Sequence, residues 1–192
     1  STFHLVAIDQ QGAIISETAL PDTINFSPRA MALSPDGGMV ITGFGSIANE
    51  IFASVLKLDA GLSVSWRQEY LLTTDIFELP NPRAIDVADD GQILITGTIG
   101  PGSNAYDLFV LSVGEDGTES WSKVFNFHGM LDVGIQIKAL ADGDVMLCGR
   151  TTNAVTNGEG FLLSLNGTTG DYYTHLLRGR VALDEDGNCM VE

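Results

Sequence analysis

The chain has 192 residues, of which 44% are apolar and 18% charged, enough for one substantial core and typical of a folded rather than a disordered protein. Nine basic against twenty-five acidic residues give a formal charge of −16, which repels phosphate backbones; Arg178 and Arg180 are the densest basic pair, so a nucleic-acid reader is excluded. No apolar run reaches the roughly eighteen residues of a membrane-spanning helix.

The chain opens at Ser1 without Met or a signal-like segment, as after removal of a targeting segment or excision from a longer protein. Leu5–Gly12 leading into Ile14 and Ile15 reads as a β-hairpin, because short runs of β-formers flank a turn sequence. Arg29–Gly37 followed by Met39–Gly43 reads as a second hairpin around Asp36-Gly37, and Val55–Gly61 followed by Val64–Tyr70 as a third. The pair then recurs. Arg83–Gly91 with Ile93–Gly97 repeats the second hairpin, and Phe109–Gly117 with Glu119–Phe125 repeats the third. It recurs once more as Ile135–Gly143 with Val145–Gly149, then Phe161–Gly170 with Asp171–His175. Val181–Gly187 with Cys189–Val191 is a partial last copy. The Thr-Gly at 42–43 and 96–97 is expected to end its strand.

Two hairpins per copy make a unit of four antiparallel strands, repeated after about fifty residues, the length of a β-propeller blade. The expected fold is therefore all-β, a propeller of about four four-stranded blades or a slice of a larger one. The blades fall at 24–75, 76–128 and 129–177, with a split blade made of 1–23 plus 178–192 that joins an outer half to an inner half. Such sharing of a blade between the termini removes open strand edges.

The run from Asp90-Gly91 through Ile93–Gly97, then Asp107–Leu111, then Asp116-Gly117 to Trp121 resembles the repeats of bacterial secreted and cell-surface β-propellers (SBBP-like repeats). The resemblance spans almost the whole chain, with residues 83–125 the best copy; the third copy has Cys148 for Thr and Tyr172-Tyr173 for Trp. It implies an extracellular or cell-surface location and a binding or structural module within a larger protein or assembly. Gly117–Trp121 is also similar, more weakly, to the tryptophan-docking strand of quinoprotein-type propellers.

No catalytic constellation is legible. His4, His128 and His175 show no zinc spacing, and no Gly-x-Ser-x-Gly elbow or Cys–His pairing exists. The expectation is a non-catalytic module; the alternative is an enzyme domain, a glycoside hydrolase or lyase or a quinoprotein-like one, with its site in the propeller channel. The acidic turns Asp89–Gly91 and Asp184–Asn188 offer oxygen ligands for Ca²⁺ but lack a full calcium loop, so they read as ordinary hairpin turns and no cofactor is expected. Trp66 and Trp121 hold equivalent positions and are expected to pack between blades. Cys148 and Cys189 are too few for a disulfide framework and read as core residues, one bridge being feasible if blades bring their strands together.

Candidate ligand-binding residues lie on the connections between blades and between second and third strands, which gather on one face. They are Asn104, Tyr106, His128, Asn153, Asn157 and Glu159, with Arg29 and Arg83 where inner strands begin. The two arginines suit an anionic ligand or pair with local carboxylates. The expected partner is a protein or a glycan on this loop face, with possible assembly with other chains or domains. Asn166-Gly167-Thr168 is a formal glycosylation sequon set in a hairpin turn.

Overall fold

A computed structural model describes residues 3–20, 26–47, 50–73, 78–101, 105–127, 130–152, 159–173, 177–179, 181–183 and 189–191. All regular elements among them are β-strands. A first hairpin joins β1 (Phe3–Ile8) to β2 (Ile14–Leu20). The first sheet runs β3 (Phe26–Leu33), β4 (Met39–Ile47), β5 (Glu50–Leu58) and β6 (Val64–Tyr70). The second runs β7 (Leu79–Val87), β8 (Ile93–Gly100), β9 (Asp107–Val113) and β10 (Glu119–Phe125). The third runs β11 (Leu131–Ala139), β12 (Val145–Thr152), β13 (Glu159–Leu165) and β14 (Leu177–Gly179), and a last hairpin joins β15 (Val181–Leu183) to β16 (Cys189–Val191). Strands adjacent in sequence pair antiparallel within every sheet, so the three full copies of the sequence repeat are three copies of one sheet topology.

Each four-stranded sheet carries a β-bulge at the same place. The register slips between Pro28 and Ala30, between Pro82 and Ala84, and between Gly134 and Gln136, which leaves Arg29, Arg83 and Ile135 as the extra residues. The glycine expected to end the second strand lies instead in mid-strand opposite this bulge. A β-carbon at Gly43 would stand 2.1 Å from the Ser27 carbonyl oxygen, one at Gly97 2.2 Å from that of Asn81, and one at Gly149 2.1 Å from that of Val133. The bulge pushes the neighbouring backbone inward, and only a residue without a side chain fits beneath it.

The Asp-Gly turns also differ from the two-residue mirror-image turn the dipeptide suggests. Gly37 donates to the Ser34 carbonyl while Ser34 donates to that of Gly38, and Gly37 alone takes a positive φ, 81°. This is a type I turn closed by a glycine bulge, with Asp36 Oδ1 accepting from the Gly38 N–H at 2.9 Å. The turns at Gly91, Gly117 and Gly143 repeat it. In the turn of Asp59 the left-handed position falls to Leu62, at φ 63°.

The core lies between sheets. Val40, Val55 and Tyr70 of the first meet Ile93, Ile95, Phe109 and Leu111 of the second, while Leu94, Leu108 and Val110 on its other face meet Leu147, Phe161 and Leu163 of the third. All of β8 is buried, as an uninterrupted apolar run sandwiched on both faces requires. The first strands are neighbours: β7 lies against both β3 and β11.

A tryptophan contact fastens each junction. Trp66 of β6 donates its Nε1–H to the Glu115 carbonyl at 3.0 Å, and Trp121 of β10 donates to that of Gly167 at 2.8 Å. The outer strand of one sheet thus docks on the outer turn of the next, and Tyr70 adds a hydroxyl bond to the Gly117 carbonyl at 2.7 Å. Lys57, 4% exposed, spans the first junction with Asp36 at 2.7 Å and Glu115 at 3.8 Å. At the second, Asp86 accepts from Lys138 Nζ and from the Ala139 N–H, both at 2.8 Å.

The chain ends depart from the sequence expectation. The first and last hairpins form two separate two-stranded sheets rather than one shared four-stranded one, and β15 and β16 stay beside β13. The fourth strand of the third sheet is Leu177–Gly179 instead of a strand through Asp171–His175. The longer turn at Asn166–Gly170 leaves Tyr172 only an isolated bridge to Leu165. Cys148 is a core residue of β12, 4% exposed, and is disulfide-bonded, the bridged of the two states the sequence leaves open.

Candidate binding face

The β4–β5, β8–β9 and β12–β13 connections and the β6–β7 and β10–β11 crossings emerge at the ends of the sheets opposite the Asp-Gly turns. Connections of differing length and sequence carried on regular strands make this the end where a ligand meets varied side chains.

Two of the expected residues, Tyr106 and Glu159, lie at this end, separated by β11 and β12. Tyr106 bridges to Leu131 in parallel, and its carbonyl accepts from the Asp132 N–H at 2.7 Å. Asp132 is the Cα partner of Thr151, and Thr151 of Glu159. Tyr106 also lines an apolar groove of about 210 Å³ between the first and second sheets, with Phe44, Ile51, Leu79, Pro80, Asn81 and Gly100. Asn104, His128, Asn153 and Asn157 lie outside the described residues.

Arg29 and Arg83 sit on β3 and β7 as the bulged residues, both exposed. Arg29 holds its guanidinium 5.0 Å from the centre of the Phe44 ring, a cation–π contact at the rim of the groove. Arg83 has no ion pair among the described residues.

The sequence reasoning missed Asp107, Asp132, Thr151 and Phe44. Asp132 is fully buried; its Oδ2 accepts from the Phe127 N–H at 2.7 Å. Burial, then the charges of Asp132 and Glu78, push the Asp107 carboxyl above the usual carboxylate range. A buried Asp following an apolar residue at a strand start was the available signal, since Asp is disfavoured in strands without a specific partner.

Other singled-out residues have structural roles. Asp90 Oδ1 accepts from the Gln92 N–H within its own hairpin turn at 3.0 Å, while Asp184–Asn188 falls outside the described residues. His4 pairs with Glu17 at 2.7 Å across β1 and β2; His175 also lies outside them. The sequon residue Asn166 accepts from the Thr168 and Thr169 N–H groups and donates to the Tyr173 hydroxyl, so its side chain is built into the turn. Among the described residues no helix is long and apolar enough to cross a membrane.

These features define an all-β protein of repeated four-stranded antiparallel sheets with a loop face at one end. No protein-family model matches the chain, and no curated protein is significantly similar to it.

Proposed function

We propose that this is a β-propeller section, extracellular or displayed at a cell surface, that binds a protein or glycan partner through its loop face and performs no catalysis of its own. The propeller reading is supported by sheets repeated in one topology, by first strands that neighbour one another, and by the tryptophan that fastens each sheet to the next. The resemblance to secreted and cell-surface propeller repeats points the same way. A disulfide at Cys148 favours an oxidising compartment.

The observation that carries the binding role is the apolar groove beside Tyr106 and Phe44, with the two bulged arginines on the adjoining inner strands. Aromatic walls with cationic groups nearby suit the apolar face of a sugar or an anionic side chain. The test is binding of the immobilised full chain to glycan and peptide arrays, repeated with Tyr106→Ala and Phe44→Ala. Loss of a specific signal in both variants supports the groove. Binding that survives both, or no specific binding to either array, overturns it.

A purely architectural role is favoured by one observation. Val6, Ile8, Ile14 and Ile15 of the first hairpin and Met31 and Leu33 of β3 are all at least half exposed, an apolar surface suited to cover by further blades. Light scattering with thermal unfolding separates the two. A monodisperse monomer with one cooperative transition favours the binding module, and association without such a transition favours a segment of a larger array.

A further inference from the structure

At the end bearing the Asp-Gly turns, the junction between the second and third sheets opens into a cleft of about 510 Å³. Asp89 and Asp90, both exposed, line it from one turn, and Val87, Ala139 and Leu140 give it an apolar wall. Lys138 is the basic residue of its lining, and that ammonium is held by Asp86 at 2.8 Å. Asp90 Oδ1 accepts from the Gln92 N–H, and neither Asp89 nor Asp90 has an ion pair among the described residues. The strand positions of Arg150 and Arg178 lie opposite Gly160 and Phe161, at the far end of β13 from this cleft.

The neighbouring repeat shows what such a place holds. At the first junction Lys57 sends its ammonium to Asp36 at 2.7 Å and to the Ser34 hydroxyl at 2.8 Å, with Glu115 of the next sheet 3.8 Å away. The second junction has a counterpart for each position. Asp90 holds the place of Asp36 in its turn, and Ser112 faces Leu94 as Lys57 faces Val40. Gly167 receives Trp121 as Glu115 receives Trp66. The carboxylate is kept and the lysine is not. Ser112 and Gly167 accept instead from the Gln92 amide at 3.0 and 3.1 Å, a neutral bridge that brings Asp90 no cation.

We propose that this cleft binds a lysine side chain of a partner polypeptide, in the place that Lys57 fills from within at the first junction. The ammonium donates to Asp90 and Asp89 as that of Lys57 donates to Asp36, and the aliphatic stem lies along Val87, Ala139 and Leu140. A formal charge of −16 steers basic partners towards the chain. Both carboxylates are exposed, so a single lysine binds weakly, with a dissociation constant of about 1–10 mM. The site lies at the opposite end of the sheets from the Tyr106 groove and does not depend on what the groove binds.

The test follows the amide shifts of the isotope-labelled full chain by NMR as a blocked Ala-Lys-Ala peptide is added. Saturating shifts are expected at Gly91, Gln92, Gly143 and Gly167, with half-saturation at about 1–10 mM. The same peptide with norleucine for lysine keeps the stem without the charge; it and sodium chloride at matched ionic strength should leave those amides in place. Asp90→Asn keeps an acceptor for the Gln92 N–H and should weaken binding about tenfold. Gln92→Gly with Ser112→Lys rebuilds the first junction, and that chain should no longer answer the peptide; should it fail to fold, Asp90→Asn carries the test. Shifts shared by the norleucine peptide, a response unchanged in Asp90→Asn, or no saturation overturns the site. Tighter binding of butylamine than of the peptide overturns the polypeptide partner in favour of a small amine, and a response to calcium chloride that the peptide does not give overturns it in favour of a metal.

Discussion

Removing the indole of Trp121 tests whether the sheets are held together by discrete contacts or by diffuse apolar burial. The side chain is 8% exposed, lies in the core between the second and third sheets, and donates to the Gly167 carbonyl. Trp121→Ala should cost about 3–5 kcal/mol, which in a chain of this size lowers the midpoint by roughly 10 °C. Trp66, whose bond to Glu115 is more exposed, should lose about half as much. The double variant is sharper. Gly170 has φ 71°, and a β-carbon there would stand 2.5 Å from Cε3 of Trp121. Gly170→Ala alone should therefore cost about 2–4 kcal/mol, from the clash and the left-handed backbone together. In the Trp121→Ala background the clash is gone, and only the backbone penalty of about 1 kcal/mol remains. Urea and thermal unfolding of the four proteins, followed by circular dichroism, give the coupling directly. Losses that add to within about 0.5 kcal/mol would refute the view that ring and glycine act as one contact.

Three further outcomes follow from the geometry. Leu62→Gly relieves the left-handed backbone at φ 63° and should raise the unfolding midpoint by a few degrees, roughly 1 kcal/mol less the leucine's partial burial; calorimetry reads it. Denatured protein should show no titratable thiol until reductant is added, and reduction should lower the thermal midpoint, since a disulfide closing a loop of this order contributes about 2–4 kcal/mol. The Lys57 ammonium, then the Gly38 N–H, hold the Asp36 carboxyl at about 2 against an ordinary 3.8. Because the folded form is the stronger acid, the stability it adds is present above pH 3.8 and is lost as pH falls towards 2; Asp36→Asn should flatten acid unfolding over that window.

The repeat was legible because turn chemistry and strand composition are local: Asp-Gly, the β-branched runs and the paired tryptophans each announce themselves over a few residues. What the sequence misplaced was decided by neighbours. Gly43, Gly97 and Gly149 look like strand ends, yet they are strand interiors emptied to admit a bulge on the adjacent strand, and no local pattern shows that carbonyl coming in. The same holds for the candidate face. Tyr106 and Glu159 were legible as polar or aromatic loop-side residues, whereas Asp132 and Thr151 sit inside strands and gain meaning only when β11, β12 and β13 align in register. The bonding of Cys148 stayed open in the sequence for a similar reason, since disulfide pairing is a tertiary fact.

The tryptophan contact has a direction: an outer strand gives the indole, and the outer turn of the following sheet receives it. The two ends of the stack are therefore unlike. At the first hairpin the receiving turn is open, with nothing within 4 Å of where a β-carbon would stand on Gly12, while the third sheet offers the exposed Tyr172 and Tyr173. An interface with a donor side and an acceptor side cannot be its own mirror under a twofold axis. Any self-association that reuses it must run head to tail, and head-to-tail contacts end either in a closed ring or in a growing fibre.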